Sequence, residues 1–418
     1  MKKLLVLGSD RGAVYIVQYA KSKDIYTIVT DYYEIEESEA KKLADESWMI
    51  STSNIDELEK RSIESGVTGV ICGASDFNTE NVMKLCKRLK LPCYCSKEAW
   101  RYSIDKSEFK ELCKSVGALV ATDYYITDEF KEEEFENIQY PVVVKPIDLT
   151  ANRGVSFCYN KEEVIAAYKY AKSLTKSNKV IVEQMIDGAE VVGLYAMSGG
   201  EISLLEAFVA KNPENSPFYC YSIGITAPKV LKKFYKDVNP EIEKLLKRAR
   251  CKEGYAFVQT IFGKDEKFYL IEMGHRINGD LTGFPLKELI GFDVAGWMVD
   301  YALGEKNILF KREFDKVCDQ VRCACSYMIW TNKDGKIMRV EGLKEIQKEL
   351  PVSVDVSHVV AEDSVYRAIG GITFVAKNYE ELCEILQQIN KKVKIIDKDG
   401  NDIFLRYEKY DSLEELLK

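Results

Sequence analysis

The chain has 418 residues, 46% hydrophobic and 30% charged, with 67 acidic side chains against 59 basic ones and a formal net charge of −8. That composition excludes a disordered protein, and charges interspersed in this way lack the basic stripe that nucleic-acid backbones require, so no nucleic-acid partner is expected. No run approaches the roughly 18 consecutive apolar residues of a membrane span, which predicts a soluble, cytoplasmic protein with no membrane partner. At roughly 150 residues per domain, the length predicts about three domains.

The opening "MKKLLVLGSDRG" has a charged start, but its apolar run is short and Asp10 and Arg11 follow at once. It is read as a first buried strand rather than a signal peptide. Apolar runs and amphipathic stretches then alternate: "KLLVLG", "AVYIVQYAKSK", "YTIVTD", a charged region, "DELEKRSIESG", "VTGVICGAS", "TENVMKLCKRLK" and "LPCYC". This βαβ cadence predicts a parallel sheet with helices on its faces, whose ligands sit at the carboxyl ends of its strands. The first turn, "GSDRGA", lacks the G-x-G-x-x-G spacing of a dinucleotide site. Asp31, at the end of the second strand, is either a ribose-binding acid or a carboxylate that caps a turn.

From Ser103 the texture changes. "SIDKSEFKELCKSVGA" predicts a helix capped by Ser103 or Asp105. Lys145 closes "PVVVK", and an ammonium at the end of a buried strand needs an anion unless it reaches back to solvent. The polar loop "DLTANRGVS" that follows, with Thr150, Asn152 and Gly154, is suited to turning backbone N–H groups toward a phosphate. "VIVEQMIDGAE" is a strand that stops in a polar connector bearing Glu183 and Glu190, and free amides beside an apolar wall suit an adenine ring. "YAFVQTIF" and "KFYLIEM" read as a hairpin across "GKDEK", with Gly263 opposite Phe268 and therefore Gln259 opposite Glu272. Two oxygen ligands side by side suit Mg²⁺, whereas a slip of one residue separates them. Beyond about Phe310 come the strand patterns "RCACSYMIW", "KIMRVEG" and "GGITFVAK", the helix "YEELCEILQQINKK" and "VKIIDKDGNDIFLRY". Of twelve cysteines the close pairs are Cys93/Cys95 and Cys323/Cys325. C-x-C places two thiols on one strand face rather than around a metal, and reduced thiols are expected.

In this order, the lysine of "IDK", the lysine of "VVVKP", a glycine loop, "VEQMIDGAE" and "IEMGHRINGD", the motifs resemble those of the ATP-grasp superfamily. The nearest branches are those shaped like carbamoyl-phosphate synthetase and biotin carboxylase, and the amino-acid ligases. The resemblance covers residues 1 to about 310. It implies an α/β and α+β chain: a Rossmann-like pre-ATP-grasp domain over 1–100, an ATP-grasp nucleotide-binding domain over 101–310 and a C-terminal α+β domain over 311–418. It also implies that Lys106 and Lys145 bind the phosphates of ATP and that the loop Thr150, Asn152, Arg153, Gly154 and Val155 closes over them. Glu183 would meet the adenine amino group, the backbone of Gln184, Met185 and Ile186 would line the ring, and Glu190 would hold the ribose. Gln259 and Glu272 would hold Mg²⁺, or Mn²⁺ in its place, and Arg276 would face the transferred phosphate or the substrate, making Lys145, Glu272 and Arg276 the catalytic set.

The activity so implied is a carboxylate–amine ligase, forming a C–N bond through an acyl phosphate and converting ATP to ADP and phosphate. Its substrates would be small molecules, a carboxylate such as an amino acid and an amine. The alternatives are a bicarbonate-activating carboxylase and an ATP-binding regulatory protein whose catalysis has decayed. By analogy with the family, a homodimer is expected. One departure stands out: where the family has E-x-N-x-R, this chain has Glu272-Met273-Gly274-His275-Arg276, so Asn278 or Asp280 is the candidate to complete a second metal shell. Phosphoryl transfer asks for positioning and charge neutralisation rather than a histidine, and His275 is expected to be a hydrogen-bonded loop residue.

Overall fold

Strict alternation between two cores builds the first sheet. In β1 (Lys3–Leu7), Leu4 and Val6 enter one core while Leu5 and Leu7 enter another on the opposite face, as the twofold period of a strand requires. The structure, a computed structural model, describes residues 1–149, 154–213, 222–312, 314, 322–333, 337–356 and 368–417. β2 (Tyr26–Thr30), β3 (Glu46–Trp48) and β4 (Gly69–Cys72) complete a parallel sheet in the order β3-β2-β1-β4. The helices Arg11–Ser22, Ile55–Ser65 and Asp76–Leu89 begin where the side chains of Asp10, Asn54 and Ser75 accept bonds from first-turn N–H groups. Two details differ from the sequence pattern. The charged region supplies the short β3, whose one buried residue is Trp48, and "LPCYC" is irregular because Pro92 brings no N–H to a ladder. Asp31 is buried and engaged by Lys41 Nζ at 2.7 Å, by Ser9 and by the N–H of Tyr33 at 3.0 Å, which is the turn-capping alternative.

β5 (Asp123–Tyr124), β6 (Val142–Pro146), β7 (Ser156–Cys158) and β8 (Val180–Gln184) form an antiparallel sheet in the order β5-β8-β6-β7. Val142, Val144, Cys158 and Val182 face the helix Lys161–Leu174 and give this sheet a small core of its own. Its other face carries Lys145 and Glu183.

The third and largest sheet is built from β9 (Gly188–Ser198), β10 (Glu201–Lys211), β11 (Ile223–Thr226), β12 (Gly254–Gly263), β13 (Phe268–Gly274) and β14 (Cys323–Thr331). β15 (Ile337–Glu341) and β18 (Lys394–Asp397) pair with each other, while β16 (Val352–Val356), β17 (Ala368–Ala376) and β19 (Phe404–Leu405) join the large sheet. Its order is β13-β12-β9-β10-β11-β14-β17-β16, with β19 on β14. Because β11 pairs with β14, the sheet runs straight across position 310. One face packs on the helices Pro228–Asp237, Asn239–Arg248 and Tyr379–Lys392, and the other joins Arg11–Ser22 and Val294–Ala302 in the core shared with the first sheet. Cys323 and Cys325 lie on one face of β14, in the first of these cores. Among the described residues no helix is long and apolar enough to cross a membrane.

Candidate active site

The lysines are the first feature. Lys145 sits diagonally across from Glu183 on the β6–β8 ladder, on the face away from the small core, and its ammonium is paired with the Glu183 carboxylate. Lys110, on the helix Lys106–Ser115, reaches the other oxygen of Glu183 at 2.6 Å and also bonds Asp123, which stands opposite Glu183 on β5. Lys145, Lys110 and Glu183 are 8%, 6% and 5% exposed. Burial pushes the Glu183 carboxyl up, but Lys145 and Lys110 more than offset that and hold it below its ordinary value. The anion that Lys145 needs is thus Glu183. This carboxylate is spent on two lysines, so it orients Lys145 where a contact with an adenine amino group was expected. One turn earlier on the same helix, capped by Asp105, Lys106 donates to the carbonyl of Leu149 at 3.0 Å and lies 3.5 Å from Glu272.

The hairpin holds the second feature. Gly263 N–H bonds Lys267 at 2.9 Å, so Phe262 rather than Gly263 stands opposite Phe268, one residue away from the register inferred from the loop length. A bulge between Gln259 and Thr260 then absorbs one residue of β13 and sets Gln259 opposite Glu272 after all. On the other side of β12, Gln259 pairs with Val192 and Ile261 with Glu190, so Glu190, Gln259 and Glu272 share one face of the sheet.

Gly274 also has a reason in the structure. It lies opposite Phe257, and a Cβ there would come within 2.3 Å of the Phe257 ring. The guanidinium of Arg276 covers that ring at 5.2 Å and is paired with Asp76, at the start of the helix Asp76–Leu89. Burial disfavours the charge of Arg276, and Asp76 outweighs it. Asn278 and Asp280 are occupied elsewhere. Asn278 accepts from Tyr255 at 2.8 Å and donates to Thr282 at 2.6 Å, while one oxygen of Asp280 takes Asn278, the N–H of Thr282 at 3.0 Å and its hydroxyl at 2.8 Å. They tie a turn rather than complete a metal shell. Gly274→Asn is therefore expected to cost about 1–3 kcal/mol of stability through overpacking, and Phe257→Ala in the same chain should relieve it. Denaturant midpoints of the two single variants and the double variant measure the coupling; simple additivity would mean that the ring does not exclude the side chain.

A family model described as the ATP-grasp domain matches residues 138–283, the stretch that carries Lys145, Glu183, Gln259, Glu272 and Arg276. The L-amino acid ligase from Bacillus licheniformis shares the architecture at a TM-score of 0.75 and 17% identity, over 95% of this chain and 99% of that one. Residues 138–283 are thus an ATP-grasp domain. Other likenesses fall on proteins with different activities. The biotin carboxylase domain of the Hydrogenobacter thermophilus 2-oxoglutarate carboxylase, solved as a dimer with MgADP and bicarbonate, has a TM-score of 0.74 and 19% identity, covering 100% of this chain and 98% of that one. The formate-dependent phosphoribosylglycinamide formyltransferase of Francisella tularensis is 26% identical over 189 residues, 44% of this chain and 48% of that protein, so the match spans about half of the relative's length.

Lys106 reaches Glu272 at 3.5 Å, and Glu272 stands opposite Gln259, a pair of oxygen donors beside an ammonium whose chemistry suits a magnesium nucleotide. Among the described residues no three His, Cys, Asp or Glu side chains converge on a metal position. A cation at Gln259 and Glu272 would therefore take its remaining ligands from water and phosphate, which is how Mg²⁺ is usually held. At the end of β8, Gln184 N–H bonds Thr122 at 2.8 Å and Met185 N–H bonds Pro141 at 3.1 Å. The N–H of Ile186 is the first without a backbone partner among the described residues. Gly154 and Val155 stand at the foot of the loop, whereas Thr150, Asn152 and Arg153 lie outside the described residues.

Three contributors escaped the motif reading. Lys110 had a signal, since it follows Lys106 by four residues on one helix face. Asp76 and Phe257 had none, because only the tertiary fold brings them to Arg276. His275 is buried, donates from Nε2 to the carbonyl of Glu253 at 2.8 Å, and leaves Nδ1 without a partner. Burial pushes its pKa down to about 4. Between pH 6.5 and about 4 the unfolded chain gains a proton that the folded one refuses, so stability falls as pH drops, by up to about 3 kcal/mol. His275→Gln should flatten that acid limb of the denaturation curve while changing ATP turnover little; an unchanged limb would mean that His275 is not its source.

Proposed function

We propose that the protein is an ATP-dependent ligase that activates a small carboxylate as an acyl phosphate and passes it to an amine, with release of ADP and phosphate. The observation that carries this is the meeting of Lys106 with Glu272 opposite Gln259, beside the Lys145–Glu183 pair and Arg276. Bound MgATP would supply the phosphoryl group together with a cation that offsets its charge. Lys145 and Lys106 neutralise the phosphates, Gln259 and Glu272 hold the cation, Glu190 faces the ribose side, and Ile186 offers its N–H to the ring. Arg276, fixed by Asp76 and Phe257, clamps the transferred group. Such chemistry consists of positioning and electrostatic stabilisation and makes no demand on the neutral, buried His275.

Purified protein with magnesium, ATP and a mixed pool of carboxylates and amines should release ADP and phosphate; release of AMP instead would exclude an acyl phosphate. The bicarbonate-activating reading is supported by the likeness to the 2-oxoglutarate carboxylase domain along the whole chain. Turnover with bicarbonate and no organic acid would favour it, and tight nucleotide binding without turnover on any pool would favour the decayed alternative.

A further inference from the structure

Where the first sheet, the loop after β13 and the far end of the large sheet meet, the charges do not balance. Asp10, Asp280 and Asp355 gather around Arg11, the one cation that acts on all three among the described residues. Asp355 is 4% exposed, and its Oδ2 has no hydrogen-bond partner. Asp10 spends Oδ1 on the N–H groups of Gly12, Ala13 and Ala74 at 2.9, 3.3 and 3.1 Å, and its Oδ2 is also buried without a partner. Burial pushes Asp355 up to about 7, even though Arg11 pulls the other way.

The position of this cluster ties it to the chemistry. Asp355, Gly371 and Met328 are successive partners across β16, β17 and β14, so they share one sheet face, and Arg11 lies 3.8 Å from the Met328 sulfur. A Cβ at Gly371 would stand 2.7 Å from Leu281, so the loop bearing Asp280 rests directly on that face. Asp10 in turn bonds Ala74, two residues before the Asp76 that holds Arg276. One wall thus runs from the phosphate clamp to the unpaired carboxylates. A metal ion is the poorer fit, since these oxygens do not converge to coordinate one. An organic ammonium, whose N–H groups point in separate directions, suits dispersed acceptors.

We propose that Asp355, with Asp10 and Asp280 around Arg11, is the subsite that receives the ammonium group of an amino-acid substrate. This rests on the ligase reading and adds the recognised group and the residues that recognise it. Its test uses the full chain with MgATP, the twenty L-amino acids and, for each simple member, the matching 2-hydroxy acid that lacks the ammonium.

One or more amino acids should accelerate ADP release while the matching 2-hydroxy acid does not. Asp355→Asn should raise the KM for that amino acid at least about tenfold, with kcat within a few-fold and the calorimetric affinity for MgADP unchanged. Unchanged MgADP affinity shows that the variant is folded; Asp355→Glu, which restores the charge, should recover part of the loss. Equal stimulation by amino and hydroxy acids, an unaltered KM in Asp355→Asn, or no response to any amino acid while MgADP binds would each overturn the proposal. Failure of the wild-type chain to bind MgADP would instead overturn the ligase reading beneath it.

Discussion

Lys145→Ala and Glu272→Gln are each expected to lower magnesium-dependent ATP turnover at least about a hundredfold, or about 3 kcal/mol of transition-state stabilisation. Lys145 cannot be replaced by a neighbour, because Lys110 is already committed to Asp123 and Glu183. Its own pairing with Glu183 leaves the ammonium fixed in direction on a rigid strand, so its contribution is made before any ligand arrives. In the proposed reading Glu272 acts from both sides, as the metal ligand opposite Gln259 and as the partner of Lys106 at 3.5 Å. Glutamine keeps the shape and removes the charge. Single-turnover rates alongside MgADP affinity separate the two effects: Glu272→Gln should also weaken the response to magnesium, whereas Lys145→Ala should not. Near-normal turnover in both variants would place the chemistry elsewhere.

Glu183→Gln should be the most damaging single change for stability in the lysine-bearing sheet, at about 3–5 kcal/mol, because it leaves Lys145 and Lys110 buried with Asp123 as the one remaining carboxylate among the described residues. The pH dependence has a definite sign. A carboxylate held below its ordinary value contributes stability that is present above about pH 4.3 and is lost as pH falls through its lower folded value. Urea midpoints between pH 3 and 7 should therefore drop on the acid side in the wild-type protein and drop less in Glu183→Gln. A variant as stable as the wild type at pH 7 would show that the lysines find other partners.

Much of this was legible because buried strands leave apolar runs and a short hairpin loop fixes a register. The unbroken apolar runs of "KLLVL" and "VVVK" placed β1 and β6, and the spacing across "GKDEK" put Gln259 near Glu272. The pairing was right although the hairpin register behind it was one residue off, since the Gly263–Lys267 bond tightened the turn and a bulge restored the count. Bulges are set by neighbouring strands and leave little mark in one sequence. The role of Glu183 was hidden for a related reason: a carboxylate after "VIV" looks the same whether it meets a ligand or two lysines 38 and 73 residues away. "LPCYC" had the composition of a strand, yet a proline among so few residues leaves too little ladder. The meeting of Arg11 with Asp355 was beyond sequence reasoning altogether, because it depends on which strand ends the large sheet.

That sheet has a consequence for inheritance. β11, four residues long, is the seam through which β10 and β14 belong to one hydrogen-bonded surface. A gene ending at codon 310 would leave β11 as an open edge, ready to recruit any strand that came near, its own kind included. The recognisable family signature stops at residue 283, yet the unit that folds, and therefore the unit that recombination can move intact, reaches at least to β17. Descendants of this chain could exchange what surrounds the sheet, but they would have to carry β14 and β17 with the strands that bear Gln259 and Glu272.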